Sequence, residues 1–111
     1  MYDNILNDMS LESLNYLLSV SNDQNWQDLQ RKRAQYLLQF IKKNQLLNQN
    51  SSHNSKEIDD NFELFPDDLN ELGQKWYAHA VPEWDDLLDE GLNPENTDIL
   101  LNVLKNLKEK E

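Results

Sequence analysis

Apolar side chains recur three or four residues apart along almost the whole chain, and strict alternation is nearly absent. That spacing places them on one face of a helix and excludes a sheet built from half-buried strands. The longest example is Trp26, Leu29, Tyr36, Leu37, Phe40, Ile41 and Leu47, a stripe that also takes in Arg33. It predicts one long helix from about Gln24 to Leu47. Two glycines and three prolines supply too little turn chemistry for an all-β fold, and no glycine-rich phosphate loop is present. The expected fold is all-α, a compact bundle of five or six helices.

Other segments follow the same logic. Ser10 can cap a helix carrying Leu11, Leu14, Leu17 and Leu18, with Ile5, Leu6 and Met9 forming a preceding turn. Pro66 suits a first helical turn, where its missing N–H is not needed, and Asp67 and Asp68 would then lie at the positive helix end. Leu69, Leu72, Trp76 and Ala80 line that helix, and Val81–Pro82 is expected to end it. A shorter helix would carry Trp84, Leu87 and Leu88, with Gly91 in a left-handed cap. Asn93-Pro94-Glu95 reads as the start of a last helix through Ile99, Leu100, Val103, Leu104 and Leu107.

Leu, Ile, Val and Phe supply 30 of 111 residues, enough for one modest core and too few for two. Residues 1–111 therefore read as a single helical domain. A neutral half, 1–47, is joined by a polar linker, 48–57, to an acidic half, 58–111. The linker contains no apolar side chain between Asn48 and Ser55.

Charge divides as sharply as hydropathy. Residues 1–55 hold five acids and five bases, whereas residues 56–111 hold sixteen acids and five bases. The whole net charge of −11 lies in the second half. Between Glu57 and Asp98 there are fourteen acids and one base, Lys75. Such crowding opposes folding through self-repulsion. Solubility is one reason to keep it; a partner with a basic surface is another. Nucleic-acid backbones and anionic membranes would be repelled, so neither is an expected direct partner. Arg31-Lys32-Arg33, the one basic cluster, is expected to pair with acids of the second half.

Catalytic and metal chemistry find little support. With no cysteine there is no thiolate and no disulfide framework. His53 lies among serines in the polar linker and reads as a solvated loop histidine. His79 and Glu83 are four apart, but one histidine and one glutamate do not make a zinc site. Placing Gly91 at the sixth position of a calcium loop puts Leu88 where an oxygen ligand is required. Pro66-Asp67 with Lys75 lacks the strand-held Glu-x-Lys of a nuclease carboxylate site. No enzyme activity, cofactor or metal is expected. No basic, apolar leader opens the chain and no apolar run approaches membrane-spanning length, so a cytoplasmic location is expected.

What remains is an acidic face with aromatic residues in it. The expected partner-binding residues are Asp67, Asp68, Glu71, Trp76, Tyr77, Glu83, Trp84, Asp85, Asp86, Asp89 and Glu90. Carboxylates would set orientation and association rate, and the aromatics would supply buried contact. In size, charge and helicity the chain resembles small acidic immunity or antitoxin proteins and nucleic-acid-mimicking inhibitors. The resemblance implies a non-enzymatic protein that docks on a basic partner, such as a nuclease or other nucleic-acid-handling protein, and inhibits it. No residue role is carried over from it. The alternative is a structural adaptor that assembles through its amphipathic helices.

Overall fold

A computed structural model describes residues 11–49, 51, 53 and 58–110, and they are mostly helical. The order is β1 (Glu12–Ser13), α1 (Leu14–Val20), α2 (Gln24–Lys43), β2 (Glu63–Leu64), a 3₁₀ turn (Pro66–Asp68), α3 (Glu71–Asp89) and α4 (Asp98–Lys110). There are thus four α-helices among the described residues rather than five or six. A small antiparallel pair was not foreseen: Glu12 lies opposite Leu64 and Ser13 opposite Glu63. The Ser10 cap and the turn at Ile5, Leu6 and Met9 lie outside the described residues, as do linker positions 50, 52 and 54–57.

α1 begins at Leu14 because Ser13 is its cap, its hydroxyl accepting from the Tyr16 amide. Asp23 caps α2 in the same way, accepting from the amides of Asn25 and Trp26. Of the predicted stripe, Arg33, Leu37, Phe40 and Ile41 are buried, together with Ala34 and Leu38, whereas Trp26, Leu29 and Tyr36 are half-buried. The helix ends at Lys43, short of Leu47. Continued helically, Leu46 would fall about 140° away from the stripe. Instead Gln45 adopts φ 59°, and the Leu46 amide donates back to the Ile41 carbonyl at 3.0 Å. This left-handed termination, formed without glycine, lets both Leu46 and Leu47 enter the core.

Residues 46–48 then run antiparallel to 68–70. Leu47 and Leu69 form a bridge, the Asn48 amide donates to the Asp68 carbonyl and the Asn70 amide to that of Leu46. Asn70 caps α3 by accepting from the Gly73 amide, and its side-chain amide donates to the Gln45 carbonyl. The helix therefore starts at Glu71 and not at Pro66; Pro66 opens only the 3₁₀ turn. A Cβ on Gly73 would lie 2.5 Å from the Leu46 carbonyl oxygen, so glycine is what admits the crossing segment.

Pro82 does not break the chain, as the sequence suggested, but sits inside a continuous α3. It removes the bond to the Ala78 carbonyl, and both residues are exposed, so water can replace that bond. Gly91 has φ 108° and ends α3; its amide donates to Leu88 and that of Leu92 to Leu87. Asn93-Pro94 belongs to the connecting loop, and α4 starts later, at Asp98.

α3 and α4 form an antiparallel hairpin. The Trp76 indole N–H donates to the Leu100 carbonyl at 2.9 Å, and that of Trp84 to the Asn96 carbonyl at 3.1 Å. Phe40 of α2 stacks on Trp76, its ring centroid 5.1 Å away. Buried apolar residues from both sides of the 48–57 segment join one cluster, including Leu14, Leu37, Ile41, Phe62, Leu64, Trp76, Trp84 and Leu104. Among the described residues no helix is long and apolar enough to cross a membrane.

Candidate partner surface and the Arg33 cleft

The basic cluster of α2 points to the structure's most polar interior. Arg33 lies in the buried stripe, so its guanidinium must find charge inside the fold. Its Nη1 and Nη2 donate to the two carboxylate oxygens of Glu12, both at 2.9 Å. Its Nε and Nη2 donate to Asp85 at 2.6 and 3.0 Å. The same group lies over the Trp84 ring, 5.6 Å from the centroid. Burial alone would depress the Arg33 pKa; the Glu12 charge and the Asp85 hydrogen bond outweigh it and hold the pKa above its ordinary value.

Tyr77 closes this network from α3. Its hydroxyl is 2.7 Å from Glu12 and 3.1 Å from the Leu11 carbonyl. Burial first, then the Glu12 charge, raises its pKa above the usual phenol value. Two carboxylates thus share one guanidinium where β1, α2 and α3 meet.

The network forms the floor of a cleft of about 590 Å³. Trp26 and Leu29 of α2 and Leu88 of α3 provide apolar walls, and Asp85 and Asp89 lie along one side. Trp26 is partly exposed there, unlike the other two tryptophans.

The remaining acidic residues divide by location. Glu83, Asp86 and Asp89 are exposed on the second half of α3, and Glu90 is exposed at its C-cap. Glu83, Asp86 and Glu90 are spaced by three and four residues and share one helix face. No Lys or Arg occurs between Lys75 and Lys105, so the end of α3, the loop and the first turn of α4 carry only negative formal charge. Asp85 is half-exposed and is held by Arg33. Glu71 lies toward the other end of α3, 3.7 Å from Lys75.

Asp67 is exposed in the 3₁₀ turn, but Asp68 is occupied within the fold. It accepts from the Phe65 amide at 2.9 Å and the Ser51 hydroxyl at 3.0 Å. His53 is not a solvated loop side chain: its Nε2 is 2.7 Å from the Glu63 carbonyl and 3.5 Å from Asp68. His79 is exposed on α3.

Trp76 and Trp84, expected to offer contact area to a partner, have no exposed surface. Both complete their indole bonds inside the α3–α4 hairpin, so a partner cannot reach them without opening it. Tyr77 is also turned inward by Glu12. Aromatic side chains beside exposed acid are instead Trp26, which lines the cleft with Asp89, and Tyr36, whose hydroxyl donates to Glu95 at 3.0 Å. Arg33, in the apolar stripe and expected to pair with the second half, does so through Asp85. Nothing local marks Glu12 as its other partner.

Arg31 extends the pairing across the molecule, with Nε donating to Asp60 at 3.1 Å and Nη1 to Asp28 at 3.2 Å. Both ion pairs are at the surface and contribute little to stability. Comparison with protein-family models, curated protein sequences and solved structures found no match to this chain.

Proposed function

We propose that this is a non-enzymatic binding protein that docks the acidic end of its α3–α4 hairpin on a basic protein surface. The supporting observation is the position of Asp86, Asp89 and Glu90. They occupy the last turn and cap of α3, the negative end of the helix dipole, with no basic residue in that turn. Each anion there costs stability where a cation would contribute it. A long-range role in attracting a positive partner accounts for retaining that cost. The partner class that fits is a nuclease or another nucleic-acid-handling protein, whose basic cleft the acidic end would cover and inhibit.

The test is affinity capture from the producing cells at low and moderate salt, using the native chain and a Glu83→Lys, Asp86→Lys, Glu90→Lys variant. A basic protein should bind the native chain, leave as salt rises, and fail to bind the variant at any salt. Its nucleic-acid-processing activity should fall when the native chain is added. Capture that survives charge reversal in a folded variant rules out docking through the acidic end.

A second reading, an adaptor using amphipathic helices, is favoured by Tyr16 and Val20. They are one helical turn apart on α1 and are 67% and 59% exposed. Capture by this face would persist in moderate salt and disappear on Tyr16→Ala, Val20→Ser substitution.

A further inference from the structure

We infer that the cleft between α2 and α3 is a receptor for a single cationic side chain of arginine type, presented by the basic partner. The inference rests on the docking reading above and names the place where that partner would insert.

The argument begins with charge in the cleft floor. Glu12 and Asp85 both bind Arg33, so two formal negative charges share one positive charge. Glu12 is only 7% exposed and its charge is matched by Arg33, so the surplus negative charge falls on Asp85, half-exposed in the cleft. A carboxylate left without its own cation in a partly enclosed cleft attracts a positive group. Asp89, on the same wall one helical turn beyond Asp85, adds another carboxylate. Counting Glu12, Asp85 and Asp89 against Arg33, the cleft has a formal charge of −2.

Shape and lining narrow the occupant further. At about 590 Å³ the cleft admits a long side chain. Trp26, Leu29 and Leu88 would cover an aliphatic stem, while the cationic head reached Asp85 and Asp89. Arginine suits both parts: its stem packs against apolar surface, and its planar head stacks on an indole and donates to two carboxylates. A partner guanidinium would repeat, from outside, the arrangement that Arg33 makes with Glu12, Asp85 and Trp84 from within. An anionic ligand is disfavoured by the same charge, and a wholly apolar one would leave the carboxylates desolvated.

The experiment uses the isotope-labelled full chain and two probes, N-acetyl-L-argininamide and its uncharged analogue N-acetyl-L-citrullinamide. The arginine probe should saturably shift the Trp26 indole N–H and the side-chain amide of Gln30, which also lines the cleft. The citrulline probe should bind roughly fivefold more weakly or not at all. Asp89→Asn should weaken the arginine probe by a similar factor; Asp89 is exposed, so that variant keeps the fold. Glu109→Gln, at an exposed acid of α4 outside the cleft lining, should leave affinity unchanged.

The inference is overturned if Trp26 does not respond, if the two probes bind alike, or if Glu109→Gln weakens binding as much as Asp89→Asn. If the probe fails while reversal at Glu83, Asp86 and Glu90 still abolishes capture, the cleft assignment falls and the docking reading stands. If the probe binds as described while capture survives that reversal, the docking reading falls and the cleft stands.

Discussion

Arg33 and Glu12, far apart in sequence, meet in a two-pronged ion pair at 2.9 Å that is almost closed to solvent. The pair fixes the short strand β1 against α2, and Asp85 extends it to α3. Removing the guanidinium would leave Glu12 buried with Tyr77 as its one side-chain donor among the described residues. Arg33→Met should therefore destabilise the fold by about 3–5 kcal/mol. A paired Arg33→Met, Glu12→Leu variant should recover much of that loss, because no stranded charge remains. Chemical denaturation of the two variants measures the difference; equal instability would show that packing, not charge, dominates the site.

Tyr77 supplies a pH dependence on the alkaline side. Its folded pKa is raised above the ordinary value of 10.0, so from about pH 10 upward the unfolded chain gives up this proton more readily. Stability linked to the protonated phenol is complete below that value and is lost as pH rises toward the folded pKa. Tyr77→Phe should flatten the decline in stability above pH 10. At neutral pH it should cost about 1–2 kcal/mol, since the Glu12 and Leu11 oxygens lose a buried donor. Thermal melts across pH 7–11 decide the matter, and identical slopes for the two proteins would refute the coupling.

Glu90→Lys exchanges an anion for a cation at the C-terminal cap of α3. It should raise stability by about 0.3–1 kcal/mol at low salt, with the gain shrinking as salt is added. In the same protein, capture of the basic partner should weaken. A variant that is more stable yet binds less well would locate the cost of the acidic end in the docking it serves.

Gly73→Ala sets two effects against each other. Alanine improves helix propensity by about 1 kcal/mol. Its methyl group would lie 2.5 Å from a backbone oxygen, that of Leu46, which already accepts from the Asn70 amide. Backbone cannot yield as a flexible side chain would, so a net loss of about 1–3 kcal/mol is expected. A stabilised variant would mean that the 46–48 segment shifts freely.

Helical content was legible because a 3.6-residue pattern is local: α2, α3 and α4 follow the stripes of Leu37 and Ile41, Trp76 and Ala80, and Leu100 and Leu104. Boundaries were less legible, since tertiary demands set them. Burial of Leu46 ended α2 early, and the exposed position of Pro82 allowed α3 to continue. Tryptophan exposure was not legible, because Trp26 at the cleft and Trp84 in the core both occur in helical patterns. Nor was the Arg33–Glu12 pair, whose second member comes from a strand with no periodic signature of its own. The charge asymmetry itself was plain, but its arrangement required the folded hairpin: Arg33 holds Asp85, while Glu83, Asp86, Asp89 and Glu90 face outward.

The β1–β2 pair has a kinetic consequence. Its two-residue strands join positions near opposite ends of a long intervening stretch, with the Leu11 amide donating to Leu64 and the Leu14 amide to Phe62. Such a contact incurs its loop-closure entropy before it returns much enthalpy, so it assembles after the neighbouring helices and opens before them. The Leu14 amide should exchange with solvent deuterium well ahead of those of Leu37 and Ile41. The N-terminal edge would then be a seam that loosens while the helical interior stays shut.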